Sequence, residues 1–378
     1  MEPQARARHI IIVVSVVIIF AIFFIRLDKS FFNVSGNVVS EECTDCLSIY
    51  NWEEYISPEV ISEFEKEYNI RVNLVEFKTM EDLVTAFEAN PSAADVLIVD
   101  NAALFKLTSE NLLNSLDHSK IKNINNINLE FMKVCADSDN NFSMPYLWGT
   151  VGIAYNKKIV TDNVDSWSIF WNKDYTGRMS LLDESRAACA AVLQKIGFSA
   201  NTNDDVMLLQ AKTELEKTDV RILSSLDTMS ALVNKEVVVA ELYNGDAYAT
   251  MLANPDIVYI IPKEGGLFWI DRMVLSRESD KLDMGYKFMD FLLQPNISAQ
   301  NANYNKYASP LDYEKVALFI DPVLAKNAII YPPESSFANL ECIKPISNEQ
   351  MHEDILNSYK ENNAQGVLIT STVHRISK

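Results

Sequence analysis

Apolar and polar positions alternate along the chain in a pattern that predicts strands and helices in turn. Apolar side chains recur at helical spacing from Val60 to Tyr68, behind a Ser57 N-cap and a proline at the first helical position. Residues 70–74 alternate like a strand, a helix is predicted around 80–88, and 95–100 is an apolar run typical of a strand buried on both faces. This succession predicts a doubly wound parallel sheet.

The second half of the chain continues with α/β elements. Strands are predicted at 150–155, 179–182, 237–242 and 257–261, and helices at 166–171, from 185 onwards, and at 204–216. No period of 20 to 50 residues repeats, and no low-complexity linker separates the halves. Two such units form either one large sheet or two lobes joined by extended crossing strands. The pattern leaves both arrangements open.

Two aromatic residues, Trp52 and Tyr55, follow the first predicted strand and precede the helix that begins after Ser57. The sequence therefore places both in a strand-to-helix loop. In open α/β sheets such loops lie at the carboxyl ends of the strands, where ligands bind. The alternative interpretation is that both rings only cover the edge of the sheet.

Length and charge narrow the class of protein. The chain has 378 residues, which favours two domains, and its 48% hydrophobic and 22% charged residues are typical of a globular protein. The formal net charge is −19, and the first 29 residues contribute +2. The remaining surface is therefore acidic, so we expect it to repel nucleic acid and to attract cationic solutes.

Residues 1–29 are predicted to be an export signal or a membrane anchor. Arg6 and Arg8 precede the uncharged apolar run 10–25, which ends at Arg26. This run is slightly shorter than the span of about 17 to 25 residues of a membrane helix, so its length does not decide between cleavage and retention. The absence of a small-residue cleavage site favours an uncleaved anchor in the inner membrane, with the rest of the chain in the periplasm.

The chain has five cysteines. Cys43 and Cys46 have the spacing of a redox pair or of half a zinc site, but no second pair completes four ligands. In an oxidising compartment we expect a disulfide, either within this pair or with Cys135 or Cys342. Cys189 lies in a predicted helix and is expected in the core.

The sequence shows no motif that is typical of an enzyme. The four histidines are scattered, and no nucleophile elbow, P-loop or dinucleotide fingerprint occurs. With ten glycines in the chain, phosphate-cradling loops are not expected. We predict a protein that is not an enzyme and needs no metal or cofactor, with Glu184 and Asp271 as the only candidate acid–base pair.

Several stretches together resemble a known family. They are YNWEEY (50–55), SMPYLWGTVGIAYN (143–156), SWSIFWNKDYTGRMSLLDESR (166–186), YNGDA (243–247) and IPKEGGLFWIDRMVL (261–275). In this order they resemble the bacterial spermidine/putrescine-binding proteins of polyamine ABC transporters. The resemblance covers roughly residues 46–360.

The resemblance implies a two-lobed periplasmic-binding-protein type II fold, with a mainly parallel sheet flanked by helices in each lobe. Residues 47–148 and 270–315 would form the first lobe, and residues 149–269 and 316–370 the second. A monomer would close its hinge around a polyamine and present it to the permease subunits.

A polyamine is a row of ammonium groups on methylene spacers, so its site needs carboxylates for the nitrogens and aromatic faces for the chain. The resemblance implies residues of both kinds. The aromatic residues are Trp52, Tyr55, Tyr243, Trp269 and Tyr307, and the acids are Glu184 and Asp271. Tyr243 stands where the family usually has tryptophan, which keeps an aromatic face but a smaller one.

Three positions depart from the family pattern. Ala187 replaces a second glutamate, Ala102 replaces a tyrosine, and Asp100 replaces a serine. We hypothesise that Asp100 pairs with an amine in the room that Ala102 opens; the alternative is that it caps the following helix or faces solvent. Ala187 and Ala102 keep open a binder of a different small cationic amine, and the predicted anchor keeps open a membrane-anchored sensor that has lost transport.

Overall fold

The computed structural model describes residues 45–135, 137 and 140–376, with side chains up to residue 363 except that of residue 334. The predicted export segment 1–29 and Cys43 lie outside these residues. Within them, no helix combines the length and the apolar character that a membrane crossing needs.

Ten strands of the described residues form one mixed sheet. In spatial order the path is β2-β1-β3-β9-β4-β7-β5-β6, with β10 beside β9 and β8 beside β4. The strands are β1 Cys46–Trp52, β2 Arg71–Phe77, β3 Val96–Val99, β4 Ser143–Asn156, β5 Met179–Leu182, β6 Val220–Leu223, β7 Val239–Tyr243, β8 Ile257–Ile260, β9 Gly266–Leu275 and β10 Leu340–Cys342.

Helices cover both faces of this sheet. The α-helices are α1 Pro58–Tyr68, α2 Met80–Ala89, α3 Asn101–Ser109, α4 Leu129–Lys133, α5 Ser185–Lys195, α6 Asp205–Leu215, α7 Ser225–Val233, α8 Asn244–Ala253, α9 Leu282–Leu292, α10 Pro295–Asn305, α11 Tyr313–Val316, α12 Pro322–Ala325 and α13 Glu349–Ile376. Short 3₁₀ turns connect them, and one of these, Trp167–Trp171, replaces the helix predicted at that place.

The two longest strands carry the chain between two lobes. The first part of β4 pairs antiparallel with β9, and its last part pairs with β7 and β8. The outer strands are parallel as predicted, both in β2-β1-β3 and in β7-β5-β6. The prediction of a parallel sheet is wrong at the centre, because β4 and β9 run in opposite directions between the lobes and pair with each other.

Each lobe has its own apolar core. In the first lobe α1, α9 and α10 pack on one face of β1, β3 and β9, and α2 and α3 pack on the other face. In the second lobe α5, α6 and α13 pack on one face of β5 and β7, and α7 and α8 on the other. Side chains between Val316 and Ile330 pack into the first core. The lobe boundaries stated from the sequence stay a prediction.

Local signals in the sequence explain where the first elements begin and end. Ser57 accepts a hydrogen bond from the Glu59 amide and starts α1, as its N-cap chemistry predicts. Asn69 ends the same helix in a left-handed conformation. Trp52 is the last residue of β1 and not part of the loop, whereas Tyr55 lies in the loop as predicted.

A disulfide joins Cys135, just after α4, to Cys342 at the end of β10, across 207 residues of chain. The disulfide expected from the sequence includes Cys43 or Cys46, so this pairing of the other two cysteines was not predicted. Cys189 is buried in the second core, as predicted.

One buried arginine attaches a long loop to the sheet. Arg272 on β9 is fully buried, and its guanidinium donates to the Val134 carbonyl at 2.7 Å and to Asn140 Oδ1 at 3.0 Å. Burial lowers its pKa to about 10, and the nearby Asp137 carboxylate opposes this shift. The forked guanidinium therefore connects two points of the loop between α4 and β4 at once.

We expect Arg272→Lys to lower the free energy of unfolding by roughly 3 kcal/mol, because a single ammonium cannot replace both sets of hydrogen bonds and remains buried. Urea denaturation measures this loss. Arg277 is exposed and lies two residues after the end of β9, and Arg277→Lys should change stability by less than about 0.5 kcal/mol. Equal effects of the two substitutions would contradict this role of Arg272.

Candidate functional site

The central strand β9 brings an aromatic ring and a carboxylate to one face of the sheet. Trp269 and Asp271 are two residues apart, so their side chains point to the same side. The Trp269 ring lies against Gly149, its partner on β4, where a Cβ atom would overlap the ring. Asp271 is 7% exposed. The lobe-crossing strands therefore place the two residues at the centre of the molecule.

Tyr55 reaches Asp271 from the first lobe. The Tyr146 hydroxyl donates to the Tyr55 carbonyl at 2.9 Å, and Asn305 Nδ2 donates to the same oxygen at 3.2 Å, which holds the loop after β1 in place. The Tyr55 hydroxyl lies beside the Asp271 carboxylate, and burial followed by that negative charge raises the pKa of Tyr55 well above its usual value. Among the described residues, no group meets strict hydrogen-bond geometry with this hydroxyl, although its proximity to Asp271 also contributes to the raised pKa of Tyr55.

Four of the five predicted aromatic residues form a continuous row. Ring centroids lie 6.1 Å apart for Tyr55 and Tyr307, 4.9 Å for Tyr307 and Trp269, and 6.1 Å for Trp269 and Tyr243, all at steep angles. The row runs from the first lobe to the second. Trp52 is half-buried and packs against the first core, and its ring has no stacking or edge contact with the row in the part of the chain described here.

Two acids of the second lobe contact the row. Glu184 occupies the N-cap position of α5, but its side chain does not cap the helix and instead accepts from the Tyr243 hydroxyl. Asp246, in the first turn of α8, accepts from the Tyr307 hydroxyl at 3.1 Å and from Ser225. Sequence reasoning missed Asp246, although it lies in the YNGDA motif, three residues after Tyr243.

Asp100 caps the following helix, as one of the two interpretations from the sequence predicts, and its pairing with an amine stays a prediction. Its carboxylate accepts from the Ala103 amide at 2.8 Å and so caps α3. The same charge acts on Asp271 in the first lobe and on Glu184 in the second. Ala102 is half-buried in the first turn of α3, and Ala187 is buried in the second core.

The carboxyl groups of the cleft are close to one another and differ in solvation: Asp271 is buried, Asp100 and Asp246 are partly buried, and Glu184 is exposed. Burial raises the pKa of Asp271 well above its usual value, and the Asp100 charge raises it further. Burial also raises the pKa of Asp100, Glu184 and Asp246, and hydrogen bonds from neighbouring groups only partly oppose it.

Within the described residues, no salt bridge neutralises these acids. The ion pairs among the described residues lie elsewhere, and none includes Asp100, Glu184, Asp246 or Asp271. A buried carboxylate without a counter-charge is costly, so the arrangement favours a cation from outside the protein. The same residues show no group of three or more His, Cys, Asp or Glu side chains placed to hold a metal ion.

A fifth carboxyl lies below the cleft. Glu241 on β7 is fully buried; one oxygen accepts from the Leu182 amide at 3.0 Å, and the other has no partner. Burial raises the pKa of Glu241 to about 8, and the charge of Glu184 adds to this shift. The sequence offered no sign of this residue, because a single glutamate in a strand is usually assigned to the solvent face.

Comparisons with known proteins identify the family of this chain. The family model described as bacterial extracellular solute-binding protein matches residues 59–322. The spermidine/putrescine-binding periplasmic protein of Escherichia coli is 29% identical over 300 residues, which are 78% of this chain and 85% of that protein. The putrescine-binding periplasmic protein SpuD of Pseudomonas aeruginosa is 31% identical over 322 residues, 78% of this chain and 85% of that protein.

A solved structure shows the same fold. The spermidine/putrescine ABC transporter substrate-binding protein PotD from Streptococcus pneumoniae superposes with a TM-score of 0.76 at 28% identity, over 84% of this chain and 99% of that chain. The two-lobed fold and the family resemblance stated from the sequence motifs are confirmed.

We expect Glu241 to make stability depend on pH. Its folded pKa, about 8, exceeds the usual 4.5, so the folded state holds this proton more tightly and loses stability as the pH rises through that window. Glu241→Gln should remove the loss. Between pH 5 and pH 8 the parent should therefore lose on the order of 3–4 kcal/mol of unfolding free energy that Glu241→Gln retains.

Urea denaturation of ligand-free protein at several pH values measures this difference. Glu53→Gln, at an exposed glutamate, is the matched control and should leave the pH profile unchanged. Parallel profiles for the parent and Glu241→Gln would show that Glu241 is already ionised in the folded protein.

Proposed function

Because the chain belongs to the bacterial extracellular solute-binding proteins, we propose that it is the polyamine-binding component of an ABC importer. It captures putrescine or spermidine in the acidic aromatic cleft and delivers it to the permease subunits. It acts in the periplasm as a monomer, with residues 10–25 as a signal or anchor.

One observation carries this proposal: four acids, which form no salt bridge in the part of the chain that the structure describes, lie beside a row of four aromatic rings. A cation with several ammonium groups along an apolar chain matches both features. The carboxylates offset the cost of removing each ammonium from water, and each ring face adds about 0.5 to 2 kcal/mol through cation–π attraction. A neutral sugar or an anion would leave the acids unpaired.

The distribution of these acids over the two lobes gives a reason for closure. Asp100 belongs to the first lobe and Glu184 to the second, and their charges repel each other across the cleft. A polyamine between them replaces this repulsion by two attractions. Binding therefore shifts the equilibrium towards the closed form, because only that form brings both acids to the same ligand.

The names of the relatives support the choice of ligand. The proteins from E. coli and S. pneumoniae are named for spermidine and putrescine, and the P. aeruginosa protein for putrescine. A different small cationic amine is the second candidate. It is favoured by Ala187, which is buried in the core and adds no further charge to the cleft.

Calorimetric titration of the purified full-length protein with putrescine, cadaverine, spermidine and spermine tests the proposal. We expect saturable binding of at least one of them, weakened by salt because the contacts are ionic. If none of the four binds and another small amine does, the second candidate is correct. If no amine binds, the proposal is wrong.

We expect Asp271→Asn to weaken polyamine binding about 30-fold or more, because the substitution keeps the shape of the side chain and removes a buried charge that would face an ammonium. Asp174→Asn, which removes an exposed charge from the second lobe, is the matched control and should leave the affinity within about twofold. Similar affinities of the parent and Asp271→Asn would contradict the assigned role.

We expect Asp100→Asn to weaken polyamine binding at least tenfold, or about 1.4 kcal/mol, without loss of stability. Asparagine caps a helix as well as aspartate does, so the variant separates the charge from the cap. Asp204→Asn changes an aspartate that caps α6 in the same way and is the matched control. If Asp100→Asn binds polyamine as the parent does, Asp100 is only a cap.

A further inference from the structure

The segment around β10 is attached firmly to the second lobe. The Glu341 carboxylate accepts from Gln194 Nε2 at the end of α5 and from the Ala200 amide, both at 3.1 Å, and also from the Ser199 hydroxyl. Asn201 Nδ2 donates to the Cys342 carbonyl at 2.9 Å. The loop that follows α5 therefore holds this segment from one side.

The next residue is attached covalently to the first lobe. Cys342 forms the disulfide with Cys135 and packs with it against the first core. The backbone beside Cys135 is held by Arg272, which donates to the Val134 carbonyl at 2.7 Å. Phe131 of α4, four residues before Cys135, packs on Trp148, with ring centroids 5.0 Å apart. The disulfide thus ends in a well-anchored part of the first lobe.

The two attachments are adjacent in sequence. Glu341 is held by the second lobe and Cys342 by the first, and consecutive Cα atoms are about 3.8 Å apart. No flexible residue lies between Glu341 and Cys342, so the lobes cannot separate at this point without breaking one of the two attachments. We propose that the Cys135–Cys342 disulfide is an interlobe staple that fixes the hinge at β10 and limits how far the cleft opens.

Both sides of the candidate cleft are connected to this staple. Asn101, which follows Asp100, donates through Nδ2 to the Cys342 sulfur at 3.3 Å. Arg186, two residues after Glu184, donates to the Lys344 carbonyl at 3.2 Å. The staple therefore lies between the segments that carry the two repelling acids. An intact staple keeps Asp100 and Glu184 within reach of one ligand, and a broken one lets their repulsion separate them.

The staple rests on the solute-binding function of the family and not on the identity of the ligand. Its test therefore uses ligand-free, full-length protein. Small-angle X-ray scattering measures the separation of the lobes, and hydrogen–deuterium exchange measures opening of β4, β9 and β10. We expect the double substitution Cys135→Ser with Cys342→Ser to increase the radius of gyration and to speed exchange in these strands about tenfold.

Glu341→Ala is the second variant, because it removes the attachment to the second lobe and leaves the disulfide intact. It should loosen the lobes in the same direction as the double substitution, so the test does not depend on one variant. Cys189→Ala, at a buried cysteine outside the staple, is the control for loss of a cysteine. Parent protein treated with a reducing agent should behave like the double substitution.

A disulfide that only stabilises the fold gives a different result. The melting temperature would fall, but the scattering curve and the exchange in the crossing strands would match those of the parent. That outcome overturns the staple. Failure to bind any polyamine would contradict the proposed ligand without changing these two measurements, so the two proposals fail separately.

Discussion

The proximity of four carboxyl groups that form no salt bridge within the described residues is the constraint on which this site depends. The Asp100 charge raises the pKa of Asp271, and the charges of Asp100 and Asp246 raise the pKa of Glu184. No arginine or lysine of the described residues pairs with them. Holding these carboxyl groups close together lowers the stability of the folded protein, and binding of a polycation raises it again. The charge of these groups therefore suits a ligand of opposite charge.

The framework that holds this group together is the antiparallel pair β4 and β9. It carries Trp269 and Asp271 on one face and the buried Arg272 on the other, so the same strand builds the cleft and anchors the first lobe. Two rings of the row lie directly against the backbone of a glycine. Trp269 lies over Gly149 and Tyr307 over Gly245, where a Cβ atom would overlap each ring. The aromatic row therefore depends on glycine at two positions.

The sequence predicts the outer parts of the fold better than its centre. Alternation and caps locate α1 and the parallel strands within a few residues, since these signals are local. The antiparallel pairing of β4 with β9 joins residues more than 100 positions apart, which no local pattern reveals. In the site, the aromatic residues follow from motif resemblance. Asp246 and Glu241 were missed, because their importance comes from burial and neighbours that only the folded chain provides.

The most direct test of the account measures protons released on binding. If the cleft acids hold protons because they are desolvated and repel one another, a polycation must displace protons as it binds. Titration calorimetry with spermidine near pH 6, in buffers of different ionisation enthalpy, should show a heat that depends on the buffer and corresponds to release of about one proton or more per ligand. Spermidine binding with a heat independent of the buffer would contradict the account.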